Sequence, residues 1–441
     1  MCSLNDDDGC ERFTTEKTMS RNLTICRSCA NKSLVVLRRK DAYCKECFLA
    51  SETHKFRAAL GKTKMMKPQD NVLVACSGSQ SSMALLHLLH SGVTEKHHKK
   101  LLFKVNIIFI EEGALFKLSN EERINSVNEV KRLIEEYNFP TYISTISDYF
   151  SETHLVGNCL EINKKNDEQL VKLFDGLKSV TSKEDLLSVL RHNLILKLAT
   201  KLNCSKIFTA EVGDNLAVKL MSNFSLGRGE QASFGTGFCD DRLTHCKILR
   251  PLRDFLCKEI VFYNKFHNIN YIASRTFTTG LQNNSSIQKL TEAFITNLQV
   301  DFPATVYTIF RTGEKLSTNS ISDKKTELFC LLCHDELRTK SNSEYSAVDA
   351  LNICWGTPKV GCSGSEESSC CGECIDGAGD GVSWTLNAKK IKENFCYGCA
   401  AIIGETKNWD SLPKYLIQAA VERNNLNDMR EKISEFLIDD T

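Results

Sequence analysis

Residues 72–86 read VLVACSGSQSSMALL, and this stretch decides the fold. Val72–Cys76 is a short apolar run suited to a buried strand. Ser77, Gly78, Ser79, Ser81 and Ser82 form a small, polar turn, and Ser82–Ser91 carries Met83, Leu85, Leu86, Leu88 and Leu89 as a helix does. A strand that turns into a helix through such residues gathers backbone N–H groups at the helix start, where they can hold a phosphate. A capped helix with no ligand has the same local signature, so the loop alone leaves both readings open.

Working outward, Val105–Ile110 reads as a second buried strand. Ser119–Asn138 reads as a helix opened by a Ser119/Glu122 capping box and stopped by Phe139-Pro140. A strand at Thr141–Ile146, a helix from Ser182 to Leu202, a strand at Lys206–Ala210 and a helix at Asp214–Asn223 follow. Beyond Lys247–Pro251, two helices at Asp254–Phe266 and Gln282–Asn297 close the domain. This alternation predicts an α/β fold with a doubly wound parallel sheet. The expected organisation is a flexible acidic tail (1–25), a basic zinc-binding module (26–67) and the α/β domain (68–320). A C-terminal cysteine-rich module (321–405) with an acidic insert (341–381) and a helical segment (406–441) complete the chain.

The composition agrees with an ordinary globular protein. Of 441 residues, 42% are hydrophobic and 25% charged, which excludes wholesale disorder. Lys and Arg number 56 against 55 acids, so a nucleic-acid surface has to be local. It is found in Cys26–Lys67, where 11 Lys or Arg face three acids. Met1–Glu11 carries Asp6, Asp7 and Asp8 and no apolar core of a secretory signal, and no apolar run is long enough to span a bilayer. A cytosolic protein with no membrane association is the expectation, and its 21 cysteines then point to metal rather than disulfides.

Cys26-Arg-Ser-Cys29 and Cys44-Lys-Glu-Cys47 are two CxxC units at the spacing of a zinc ribbon, with Leu34–Leu37 as a short strand between them. Cys330-Leu-Leu-Cys333 and Cys396-Tyr-Gly-Cys399 make a second pairing across a long gap, where Cys354, Cys362, Cys370, Cys371 and Cys374 compete as ligands. One zinc is expected at the first site and a second at the other. In the basic segment Arg38, Arg39, Lys40, Lys55 and Arg57 are the candidate RNA contacts.

Taken together, these pieces resemble a known family, the cytoplasmic tRNA 2-thiolation proteins, and within that eukaryotic PP-loop pair the second subunit. The resemblance is carried by Met1-Cys2, Asp41–Phe48, His54–Arg57, Cys76-Ser77-Gly78, Lys219–Asn223, Leu226–Gly229, Leu249–Arg253, Lys258–Ile260 and Cys396–Cys399, from about residue 1 to 400. It implies a PP-loop fold and a place in 2-thiolation of the wobble uridine of tRNA Lys, Gln and Glu. It also implies a catalytic PP-loop partner and a ubiquitin-like sulfur carrier that acts indirectly.

The departures from the family's catalytic pattern are equally specific. Active relatives carry Ser-Gly-Gly-x-Asp-Ser in the loop; here Ser79 replaces the second glycine, at a site expected to need positive φ or close approach, and Ser81 replaces the aspartate. Both changes argue against ATP. The helix Asp185–Asn193 keeps Arg191 but lacks the relatives' cysteine. Ala210–Asn215 keeps only Asp214 of their Gly-His-Asn-x-Asp-Asp run, and Arg275 stands where their second active cysteine falls. No residue is therefore assigned a catalytic role, and a degenerate subunit is the expected function. Two rivals stay open: an active ATP-dependent tRNA sulfurtransferase, and a zinc-ribbon nucleic-acid scaffold unrelated to thiolation.

Overall fold

A computed structural model describes residues 25–38, 40–94, 100–151, 157–229, 232–242, 246–273, 275–316, 328–337, 394–406 and 412–434. The acidic tail, Arg39 and the insert 341–381 lie outside the described residues. The chain divides into two compact units at residues 318 and 319.

The first unit opens with a hairpin, β1 (Val35–Leu37) against β2 (Asp41–Tyr43), and then α1 (Lys45–Lys62). Strand β3 (Asn71–Ala75) leads through the serine loop into α2 (Gln80–Thr94). Strand β4 (Lys104–Glu111), helix α3 (Asn120–Glu135) and strand β5 (Thr141–Thr145) follow, and the Ser119/Glu122 capping box is formed at the start of α3. Next come α4 (Lys164–Asp175), α5 (Val180–Lys201), β6 (Lys206–Thr209), α6 (Gly213–Ser225) and the short α7 (Ala232–Thr236). The unit ends with β7 (Cys239–Asp240), β8 (Lys247–Leu249), α8 (Cys257–His267), α9 (Ile287–Asp301) and α10 (Thr305–Lys315).

The main sheet has the order β5-β4-β3-β6-β8-β7, parallel except for β7 at one edge. The chain winds one way from β3 to β5 and the other way from β6 to β8. The reversal falls between β3 and β6, where Val74 registers with both Ile107 and Phe208. Val72, Leu73 and Val74 are fully buried because a central parallel strand is covered on both faces, which explains their unbroken apolar run. The crevice beyond the carboxyl ends of β3 and β6 is where sheets of this winding place a ligand.

Val35, Leu37, Phe48, Phe56 and Leu60 pack into the same core as Val72 and Val74, so the basic N-terminal segment and the sheet share one interior. Helix α1 was not expected from the sequence, and neither were α4 and α10. In α1 the buried ladder is Phe48, Glu52, Phe56 and Leu60, and the carboxylate in its second rung hides the apolar period.

The second unit contains a two-stranded antiparallel pair, β9 (Leu328–Phe329) with β10 (Glu336–Leu337), followed by α11 (Tyr397–Glu405) and α12 (Lys414–Ser434). Phe395, Ile402, Ile403, Leu412, Leu416 and Ala420 are buried within it. No helix of the described residues is long and apolar enough to cross a membrane.

Candidate phosphate loop and metal centres

The loop after β3 keeps its one indispensable glycine. Gly78 has φ +75°, and a Cβ there would come within 3.3 Å of Val130. Ser79 has no positive φ, so the expected backbone penalty at that position does not arise; the left-handed conformation falls one residue earlier. The hydroxyls face one another. Ser77 Oγ donates to Ser79 Oγ at 3.0 Å, Ser79 and Ser82 Oγ lie 3.3 Å apart, and Ser82 Oγ donates to the Ser79 carbonyl at 2.9 Å. The N–H of Ile272 donates to the Gly78 carbonyl at 2.8 Å, laying the chain just before Arg275 along the loop. Ser81 sits in the first turn of α2 and is half-buried. No carboxylate belongs to the loop.

The charges around the carboxyl ends of the strands are paired with each other. Arg191 donates to both oxygens of Glu112, at 2.6 and 2.9 Å. Glu211, just past β6, accepts from Lys219 at 2.8 Å and from Arg250 at 2.8 Å. Burial alone would raise the Glu211 carboxyl, but Lys219 and Arg250 hold it well below the usual carboxylate range. His192 is pushed down to about 3 by burial and by Lys219, so it stays neutral. Asp214, the one acid retained from the catalytic run, accepts from the Cys257 N–H at 2.6 Å and from Gln299 at 2.7 Å, which ties α6 to α8 and α9. Sequence reasoning singled out Asp214 and passed over Glu211 and Glu112, because nothing local marks a carboxylate whose partners arrive from other elements.

Among the described residues, five of the thiols outside the two quartets are shifted away from the thiolate; the exposed Cys159 is not one of them. Burial pushes up Cys76 and Cys239, takes Cys204 and Cys246 to about 11, and with Asp214 takes Cys257 to about 12. A thiol reacts as its thiolate, so these shifts point away from sulfur chemistry.

Each quartet closes. The sulfur atoms of Cys26, Cys29, Cys44 and Cys47 lie within 4.8 Å of one another, and so do those of Cys330, Cys333, Cys396 and Cys399. Four thiolates at ~2.3 Å from one zinc stand about 3.8 Å apart, and the 3.5 Å separations of Cys29 from Cys44 and of Cys333 from Cys396 fit that donor set. Within each group the thiols pull in opposite directions. The Cys44 backbone N–H lowers Cys26 to about 6, whereas Cys29 and Cys44 push Cys47 to about 12. Crowded sulfurs of this kind ionise together only around a cation, so both quartets could hold a metal ion and are compatible with zinc.

The quartets repeat one construction. Ala30 and His334, each following the second cysteine of its CxxC, both have φ +59°. The N–H of each donates to the carbonyl of the first cysteine, Cys26 at 3.2 Å and Cys330 at 3.0 Å. Cys26 and Cys330 in turn donate to the Asn31 and Asp335 carbonyls, at 2.7 Å in both cases. The other CxxC of each quartet starts a helix, with Cys44 the N-cap of α1 and Cys396 that of α11.

The basic candidates separate. Lys55 Nζ donates to Glu259 at 2.6 Å, lies 3.5 Å from Glu52 and sits 4.5 Å from the Phe255 ring centroid, so it anchors α1 to α8 rather than facing RNA. Lys258 joins the same seam by donating to the Val36 carbonyl at 2.8 Å. Arg57 is half-buried and has interactions of its own, while Arg38 and Lys40 are exposed at the hairpin tip.

Sheet order, serine loop and paired cysteine groups define the class: an α/β protein of PP-loop type carrying two four-cysteine metal-binding groups. In accord with this, the U34-tRNA thiolase NcsA from Methanococcus maripaludis, solved with its 4Fe–4S cluster, superposes with a TM-score of 0.53, covering 68% of this chain and 91% of that one at 20% identity. Residues 286–401 match the family described as cytoplasmic tRNA 2-thiolation protein 2. The protein of that name from Xenopus tropicalis is 34% identical, with 94% of each chain covered. The one from Danio rerio is 30% identical over 100% of this chain and 99% of its own. The chain belongs to the cytoplasmic tRNA 2-thiolation protein 2 family, and its role lies in cytoplasmic tRNA 2-thiolation. That membership sets aside the reading of a scaffold unrelated to thiolation.

Proposed function

We propose that this chain is a non-catalytic subunit of the cytosolic complex that 2-thiolates the wobble uridine of tRNA Lys, Gln and Glu. It works beside a catalytic PP-loop subunit and contributes to holding the tRNA. The sulfur, delivered by a ubiquitin-like carrier, passes through the partner. The observation that carries this reading is the state of the thiols around the sheet: among the described residues Cys76, Cys204 and Cys246 are buried and Cys239 half-buried, and burial pushes all four away from the thiolate. The loop adds to it, since its hydroxyls bond to one another and the nearby Arg191, Lys219 and Arg250 are neutralised by Glu112 and Glu211. A triphosphate there would have to displace those carboxylates, so ATP is not assigned to this chain. The two quartets are assigned to structural zinc, and Arg38 and Lys40, exposed at the hairpin tip, to contact with RNA.

Reconstitution tests the proposal. The chain is combined with the catalytic subunit, ATP, a sulfur donor and tRNA, and each protein is omitted in turn. The expected result is no 2-thiouridine and no adenylate from this chain alone, and a large loss of the partner's rate without it. Product from this chain by itself, or an unchanged rate in its absence, overturns the reading.

A further inference from the structure

The turn between β1 and β2 and the start of α10 enclose an open groove of about 810 Å³, lined by Arg38, Lys40, Pro303, Ala304, Tyr307 and Arg311 among others. Three cations and no carboxylate line it. Neither Lys40 nor Arg311 makes an ion pair with a described residue. This distinguishes them from Lys55, Arg191, Arg228 and Arg250, whose charges are matched inside the protein.

Arg38 is held in place at some cost. Its φ of +49° lies in the left-handed region, which disfavours a residue with a Cβ. Its guanidinium lies 4.4 Å from the Tyr307 ring centroid, and Nη2 donates to the Tyr307 hydroxyl at 2.5 Å. That hydroxyl donates on to the Asp254 carbonyl at 3.3 Å. A guanidinium held over a ring and bonded to that ring's hydroxyl is restricted in direction, while its remaining N–H groups can still grip a phosphate.

We propose that this groove binds the phosphodiester backbone of RNA, and that Arg311 and Tyr307, both outside the basic N-terminal segment, are part of the tRNA-binding surface. The proposal rests on the reading of this chain as a tRNA-holding subunit. Separated cations over an apolar floor of Pro303, Ala304 and the tyrosine ring suit a polyanion whose sugars and bases bring their own apolar faces.

The test uses the full-length chain and a tRNA Lys transcript, with affinity measured by fluorescence anisotropy across a salt series. Arg311→Ala and Lys40→Ala should each weaken binding about three- to tenfold at low salt and reduce the log–log salt slope by about one. Arg311→Lys should restore the slope. Tyr307→Phe, which frees Arg38 without removing a charge, should weaken binding while keeping the slope. Lys104→Ala, a charge-matched change at the start of β4, should do nothing. Salt-dependent binding by the unaltered chain with no change in Arg311→Ala and Lys40→Ala overturns the groove and leaves the tRNA-holding reading intact. Absence of any tRNA binding by the unaltered chain overturns both. Loss of association with the catalytic subunit in Arg311→Ala, with tRNA affinity unchanged, assigns the groove to a protein and also overturns the proposal.

Discussion

The two cysteine quartets have the same knuckle, the same left-handed residue after it and the same helix start, yet they are supported differently. In the N-terminal quartet Cys29 and Cys44 are 15 residues apart, and the helix capped by Cys44 sends Phe48, Phe56 and Leu60 into the core that also contains β3. In the C-terminal quartet Cys333 and Cys396 are 63 residues apart, and among the described residues the helix capped by Cys396 has a much smaller set of buried neighbours. One quartet is set into a large domain, whereas the other organises a small one. Local geometry built around four thiolates is therefore portable, and its contribution to stability depends on what the surrounding chain already buries.

The largest effect expected from this difference is in the response to ligand loss. Cys330→Ser should remove one equivalent of metal and abolish amide protection throughout Tyr397–Glu405, as read by elemental analysis and hydrogen exchange. Cys44→Ser should also remove one equivalent, but protection in Asn71–Ala75 should survive. Equal, local losses in the two variants would break the comparison. Next in size, Phe48→Ala should cost about 3–5 kcal/mol in denaturant unfolding of the first unit. Phe48 is fully buried and packs edge-on to Phe262 and Phe266, with centroids 6.4 and 5.7 Å away. A cost below about 1 kcal/mol would mean that metal, not packing, holds α1 in place.

A smaller effect tests the seam beneath the N-terminal quartet. Burial pushes the Glu52 carboxyl up to about 7 from an ordinary 4.5, with Lys55 only partly compensating. A carboxyl raised on folding contributes stability that is complete below about pH 4.5 and lost as pH rises through about 7. Glu52→Gln should therefore flatten the decline in melting temperature between about pH 5 and 8, equivalent to about 1–3 kcal/mol at the alkaline end. An unchanged pH profile would show that Glu52 ionises without penalty. The smallest effect concerns metal retention. Bringing ends together over 63 rather than 15 residues costs about 1.3 kcal/mol more in chain entropy, so a chelator series should empty the C-terminal quartet at about tenfold lower competitor strength. Simultaneous release, followed by metal-sensitive absorbance of a cobalt-substituted protein, would remove loop length from the explanation.

By itself the sequence determined whatever is written within a few residues. The run from Val72 to Ser82 specifies strand, turn and helix, Ser119 and Glu122 specify a helix start, and CxxC pairs specify knuckles, because period, caps and ligand spacing are set by near neighbours. The alternation of such pieces carried the parallel sheet, and with the quoted motifs it carried the family. Tertiary structure alone decided which charges face solvent. Lys55 meets Glu259 across 204 residues, Arg250 meets Glu211 across 39, and Arg38 meets Tyr307 across 269. It also moved the left-handed turn of the serine loop to Gly78 and left Lys40 and Arg311, on one groove, without an ion pair among the described residues. A lysine in a basic run reads the same whether it ends against a buried carboxylate or in water. The physical reason is that burial and partner choice come from the winding of the chain, which brings distant segments together, while the local pattern records only that a charge is present.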